Sequence, residues 1–182
     1  MVTNYAVLLA EGFEEIEAVT IIDVLRRADL PVTVLSVQPD LCVTGGHGIK
    51  VFADEFLGKV LTTEYSGVIL PGGATGVDNL RKSELAKEFI FAHKESFIAA
   101  ICAAPSLLAE WGLLQGVRAT CYPSFRAALE AGNCRYMESE VVEDRNIITS
   151  RGPATAMAFA LAIVNKMQNE QIARQTSEKM LV

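Results

Sequence analysis

The sequence predicts an α/β domain in which a mostly parallel sheet is covered by helices on both faces. Three observations predict it. Short apolar runs alternate with stretches of helical periodicity, the order that βα units impose. The first of these runs, Tyr5–Ala10, is apolar throughout, as a strand buried on both faces is. The chain has 182 residues, 51% of them hydrophobic, which suits one domain spanning 1–182 with a core of its own; no repeat, low-complexity segment or linker divides it.

The elements follow in order. After the strand Tyr5–Ala10, the residues Ile16, Val19, Ile21, Ile22 and Leu25 recur at helical spacing and give a helix ending near Ala28-Asp29. Val32–Val37 is the second strand. Cys42-Val43-Thr44 and Ile49-Lys50-Val51 flank Gly45-Gly46-His47-Gly48, a turn that closes a small hairpin. Gly67–Leu70 is a strand running into Pro71-Gly72-Gly73, and a helix from Ser83 to Lys94 follows, with Leu85, Phe89 and Ile90 on its apolar side. Phe97–Ile101 is the next strand and Ala103–Trp111 the next helix. An Ala-rich helix near 124–131 and strands near 139–143 and 146–149 come next. Pro153, tolerated in a first turn, opens a long helix over 153–167, and the tail from Glu170 reads as a further short helix.

Charge and cysteine usage exclude several classes. A net charge of −6 with scattered Lys and Arg argues against nucleic acid or an anionic membrane as partner. No run reaches the ~18 apolar residues that span a bilayer. Met1-Val2-Thr3-Asn4 lacks a basic export signal, so a reducing, cytoplasmic setting is expected, with Cys42, Cys102, Cys121 and Cys134 as free thiols. There is no C-x-x-C pair, and neither a metal nor a cofactor is expected.

In parallel sheets the ligand sits at the carboxyl ends of the strands, so the residues just after them matter most. Ile98–Ile101 is an apolar strand that ends in Cys102 and continues into Ala103-Ala104-Pro105. A nucleophile on a sharp strand-to-helix turn needs small neighbours, and the helix start favours a thiolate. The local pattern fits a buried, inert cysteine equally well. Gly72-Gly73 would let backbone N–H groups approach a ligand and, with the Ala103 N–H, bind an oxyanion; a plain turn explains them too. Glu14 and Glu15 are ordinary acidic complements of a helix start, whereas Glu17, three residues on from Glu14, would be a protonated partner of the thiolate if its face points at the cleft. His93 reads as solvated and His47 as a surface turn residue, so neither supports a Cys-His pair.

Together these pieces resemble the ThiJ/PfpI superfamily in its DJ-1 branch. The matching segments are Glu11-Gly12-Phe13-Glu14-Glu15-Ile16-Glu17, Leu70-Pro71-Gly72-Gly73, Ala99–Pro105 and Thr149-Ser150-Arg151-Gly152-Pro153, in family order. The resemblance implies a flavodoxin-like three-layer α/β/α sandwich, a homodimer, a readily oxidised Cys102, a protonated Glu17 beside it and backbone donors at Gly72, Gly73 and Ala103. Glu14, Tyr122, Arg151 and His47 would line the site, Arg151 in a structural capacity. The implied activities are cofactor-free glyoxalase chemistry on small reactive aldehydes, deglycation of glycated adducts, chaperone action and oxidative-stress protection.

Three departures shape that expectation. Peptidase-like members carry His after the nucleophile, where this chain has Ala103. Tyr122 replaces a His common in the branch, and a phenol, with a pKa near ~10, is no substitute for imidazole. His47 stands where many relatives have Arg. A glutaminase-like reading fails because no histidine follows His93. Cys121 fits a packed hydrophobe better than a resolving thiol. Two readings stay open: an enzyme acting on carbonyls, and a redox sensor or redox-regulated chaperone in which Cys102 becomes a sulfinate.

Overall fold

The computed structural model of the chain describes residues 4–182. Its strands are β1 (Tyr5–Leu9), β2 (Val32–Ser36), β3 (Cys42–Thr44), β4 (Lys50–Phe52), β5 (Glu55–Phe56), β6 (Gly67–Leu70), β7 (Phe97–Ile101), β8 (Arg118–Ala119), β9 (Arg135–Tyr136), β10 (Val141–Asp144) and β11 (Ile147–Ser150). Its helices are α1 (Glu15–Arg27), α2 (Ala74–Lys82), α3 (Glu84–Ala92), α4 (Ala104–Glu110), α5 (Arg126–Ala131), α6 (Ala156–Met167) and α7 (Glu170–Met180).

The main sheet has seven strands in the order β10-β11-β7-β6-β1-β2-β5. Neighbours are parallel except β10, which returns antiparallel to β11. β1, β6 and β7 are buried along their whole length, which is why they read as apolar runs. Helix α1 packs on α6 and α6 on α7; α2 packs on α3 and α4, and α4 on α5. The sheet therefore lies between two helix layers, the flavodoxin-like sandwich that the resemblance implies. β1 has β2 on one side and β6 on the other, so the chain winds in opposite directions from it. A crevice forms at such a reversal, outside the carboxyl ends of the strands.

The expected hairpin forms from β3 and β4, and the tail forms α7. Pro153 opens a single 3-10 turn, Pro153–Thr155, ahead of α6 rather than α6 itself. Helix α2 was not expected. Its only apolar signal is Val77 and Leu80, three residues apart in a stretch that also holds Gly76, Asp78 and Asn79. The two-residue strands β5, β8 and β9 are too short to carry a period. His93 is not solvated: it is buried at the end of α3, where its Nε2 accepts from the Tyr65 N–H (3.2 Å) and its ring lies 4.4 Å from that of Phe89. Its Nδ1 lies 2.8 Å from the Phe89 carbonyl, so backbone groups on both sides hold the ring in the core.

Candidate active site

β7 ends at Ile101 and α4 begins at Ala104, which leaves Cys102 and Ala103 to turn the chain. Cys102 takes φ 64°, a left-handed conformation that costs a side-chain-bearing residue about 1–2 kcal/mol. Neighbouring segments hold it there. Its N–H donates to the carbonyl of Ser150 at the end of β11 (3.0 Å), and its carbonyl accepts from the Tyr122 N–H (2.9 Å). The Cys102 side chain is 9% exposed. This is a strained elbow fixed by tertiary bonds, the kind of outlier that marks a functional position.

Gly72 and Gly73 follow β6, the strand beside β7. A Cβ at position 72 would stand 2.6 Å from both the Cys102 Cβ and Glu17 Oε2, so only glycine lets thiol and carboxyl meet there. Gly73 turns at φ 90°. Its N–H and that of Ala103 both act on the Cys102 sulfur, favouring its charged form.

Glu17 reaches the same point from α1. Glu14 caps that helix, its Oε2 accepting from the Glu17 N–H (2.7 Å). The Glu14 N–H in turn donates to the Gly72 carbonyl (3.1 Å), tying the helix start to the glycine turn. Glu17 is wholly buried. Its Oε2 accepts from the Gly72 N–H (2.7 Å), its Oε1 has no protein partner, and the carboxyl lies beside Gly72 as the Cys102 side chain does.

The charge states follow from these contacts. Burial pushes the Glu17 carboxyl up to about 7, against the Gly72 N–H, which lowers it; the charge of Glu14 adds to the rise. Burial pushes the Cys102 thiol up to about 12, and the negative charge on Glu17 adds to this. Burial and the neighbouring carboxylate favour the neutral thiol, while the helix start and the two N–H groups pull towards the thiolate. Two N–H groups do not outweigh desolvation and a neighbouring anion. Near neutral pH the Glu17 carboxyl is poised between its charged and neutral forms.

The structure brings together five of the expected residues: Cys102, Glu17, Gly72, Gly73 and Ala103. One role changes, since the Gly72 N–H is spent on Glu17 and is not aimed at an oxyanion. Glu14 is a helix cap whose charge is felt at Glu17. Tyr122 and Arg151 line a cleft of about 320 Å³ that also includes Glu140 and Gly152–Thr155. Glu140 and Thr155 carried no motif in the sequence; they meet through Ser150, whose hydroxyl donates to the Glu140 carbonyl (2.6 Å) and lies 2.7 Å from Thr155 Oγ1. His47 does not join the cleft. Its exposed ring pairs with Glu15 (2.8 Å), whose buried carboxylate also accepts from the His47 N–H (2.6 Å) and so pins the β3–β4 hairpin to α1. Among the described residues, Glu14, Glu15 and His47 alone cluster as metal-type donors, within 4.8 Å of one another, and the helix cap and the hairpin clasp already employ them. The Cys121 and Cys134 thiols are buried and raised by that burial to about 12 and about 11, as packed residues.

Known proteins share this arrangement of strands and loops. The DJ-1/PfpI family matches residues 4–166. Protein dj-1beta of Drosophila melanogaster is 36% identical over 179 residues, which cover 97% of this chain and 95% of that protein. Protein DJ-1 homolog A of Arabidopsis thaliana is 37% identical over 177 residues, 96% of this chain and 45% of its own length, so the chain spans less than half of that relative. Among solved structures, Toxoplasma gondii DJ-1 in its oxidized form superposes with a TM-score of 0.94 at 36% identity, covering 98% of each chain. With the sheet order, the cysteine elbow and matches that run almost end to end, the chain belongs to the DJ-1/PfpI family.

Proposed function

We propose that this chain is a stress-protection protein that removes reactive carbonyls without a cofactor, with Cys102 as nucleophile and Glu17 as proton carrier. The observation that carries this reading is the buried Glu17 carboxyl, raised to about 7 against the Cys102 thiol, with the Gly73 and Ala103 N–H groups turned to the sulfur. A proton carrier works best with a pKa near the working pH, and Glu17 meets that condition.

With methylglyoxal the steps balance as an internal redox reaction plus water. Glu17 takes the thiol proton as Sγ bonds to the aldehyde carbon and returns it to the new oxygen, giving a hemithioacetal. Glu17 then moves a proton from the former aldehyde carbon, by way of an enediol, to the former ketone carbon, while the hydroxyl proton passes from the first carbon's oxygen to the second's. The first carbon is oxidised and the second reduced, which leaves a thioester of lactate. Water cleaves the thioester, releasing lactate and the thiol. The same attack on a hemithioacetal or aminocarbinol adduct, through the aldehyde in equilibrium with it, would appear as deglycation. Lactate formation with wild type, Cys102→Ser and Glu17→Gln in parallel tests the reading, with a scavenger for free aldehyde in the deglycation arm. Loss in both variants is expected; equal lactate from wild type and Cys102→Ser would sink it.

One observation favours a second reading, a redox sensor or redox-regulated chaperone. A protonated Glu17 would hydrogen-bond a sulfinate formed at Cys102 by two equivalents of peroxide, each reduced to water. Intact mass after mild peroxide should then show two added oxygens at Cys102, fewer in Glu17→Gln. We also infer a cytoplasmic homodimer, the face being Ile16 and Val19 on α1 with Ile49 and Phe52 on or beside the hairpin that Glu15 clasps to it, all four exposed. No helix among the described residues is long and apolar enough to cross a membrane.

A further inference from the structure

Arg81 and Arg151 are the two half-buried arginines of the chain. Arg81 is satisfied by Glu110 and Asp78. Arg151 makes neither an ion pair nor a side-chain hydrogen bond among the described residues. A guanidinium carries five donors in a planar fork, and a partly desolvated one left unpaired is costly. Its position adds to the case. Arg151 follows Ser150, whose carbonyl holds the Cys102 N–H, and it lines the cleft with Tyr122, whose N–H holds the Cys102 carbonyl. Cys102 itself does not line the cleft, whose walls belong to the two segments that hold the nucleophile's backbone.

The wall chemistry is specific. Tyr122 is 46% exposed and its ring packs close to Gly152, giving a flat apolar side. Glu140, also in the lining, is exposed and sits opposite in charge. On the other side of the elbow the charges are acidic, Glu17 and Glu14. An anionic ligand approaching Cys102 is repelled there, so it needs a cation on the cleft side, and Arg151 is the cation that lines it.

We infer that Arg151 is a specificity-determining residue: it takes a carboxylate on the non-reacting end of the carbonyl compound, with the Tyr122 ring against the intervening carbons. The substrate class is then an aldehyde or 2-oxoaldehyde bearing a carboxylate. A carboxylate matches the guanidinium fork with two parallel hydrogen bonds, which a neutral methyl end cannot make. This rests on the carbonyl reading above for its biological meaning, though not for its geometry.

Two alkylating probes separate the two. Iodoacetate and iodoacetamide each bond to Sγ with loss of iodide, and they differ in carrying a carboxylate or a neutral amide. The ratio of their rates at Cys102, followed by peptide mass, is the readout. Arg151→Gln should lower the iodoacetate-to-iodoacetamide ratio roughly five-fold. Arg151→Lys should retain part of it, and Glu140→Gln should raise it. A ratio unchanged in Arg151→Gln, with the variant folded by circular dichroism, overturns the assignment. Glu140→Gln lies on the cleft's exposed rim, so its ratio is an independent measure if Arg151→Gln fails to fold, and no change in Glu140→Gln then counts against the assignment. Lactate assays stand apart: no turnover of any aldehyde, with the ratio behaving as expected, removes the enzyme and leaves the carboxylate site.

Discussion

Burial acts on Cys102 and Glu17 in the same direction, driving each towards its neutral form, and both side chains flank Gly72. That has a measurable effect on stability. With its pKa raised from 4.5 to about 7, Glu17 keeps in the folded state a proton that the unfolded chain releases. Its contribution is fully present below pH 4.5 and is lost as pH rises through 7. Denaturant unfolding from pH 4.5 to 8 should show a loss on the order of 3 kcal/mol from this group. Glu17→Gln should lack that part of the slope and be the more stable protein at pH 8. Equal slopes in the two proteins would mean that Glu17 is not the proton holder. The elbow was legible at this scale because small residues bracket Cys102. The role of Gly72 was not, since its partner Glu17 lies 55 residues away and only the fold joins them.

At the level of elements, the site depends on how closely the turn after β6 approaches the start of α1. Gly72→Ala places a methyl 2.6 Å from the Cys102 Cβ and from a carboxylate oxygen, and both lie on packed elements that yield little. Overpacking of this kind costs about 2 kcal/mol, so a melting temperature several degrees lower is expected. Cys102 alkylation should change along with it, because the methyl pushes the carboxyl away from the N–H of residue 72. A wild-type melting temperature in Gly72→Ala would show that the turn has slack. Strands β1, β6 and β7 were readable because a strand buried on both faces is apolar at every position. Helix α2 was not, because only Val77 and Leu80 face the core. Nor was the position of His93, whose burial depends on backbone groups of Tyr65 and Phe89 that no local pattern reveals.

For the whole molecule, the exposed apolar side chains on α1 and the β3–β4 hairpin set the expected assembly. Phe52 is 76% exposed, an unusual state for a large aromatic residue on a lone chain. Light scattering after gel filtration should give a dimer for wild type, and Phe52→Glu should shift it towards monomer with little change in fold. A dimer that withstands both Phe52→Glu and Val19→Glu would place the interface elsewhere. The His47–Glu15 clasp lies beside that face, and the hydrogen bond to Glu15, with its charge, holds the His47 pKa above its ordinary value.

The elbow at Cys102 is tied into the sheet on one side and the Tyr122 loop on the other before any ligand arrives. A small ligand brings only a handful of heavy atoms, each worth at best about 1.5 kcal/mol of binding. It has nothing to spare for ordering a loop or building a pocket. A site of this kind suits small ligands, because it is already built when the chain has folded.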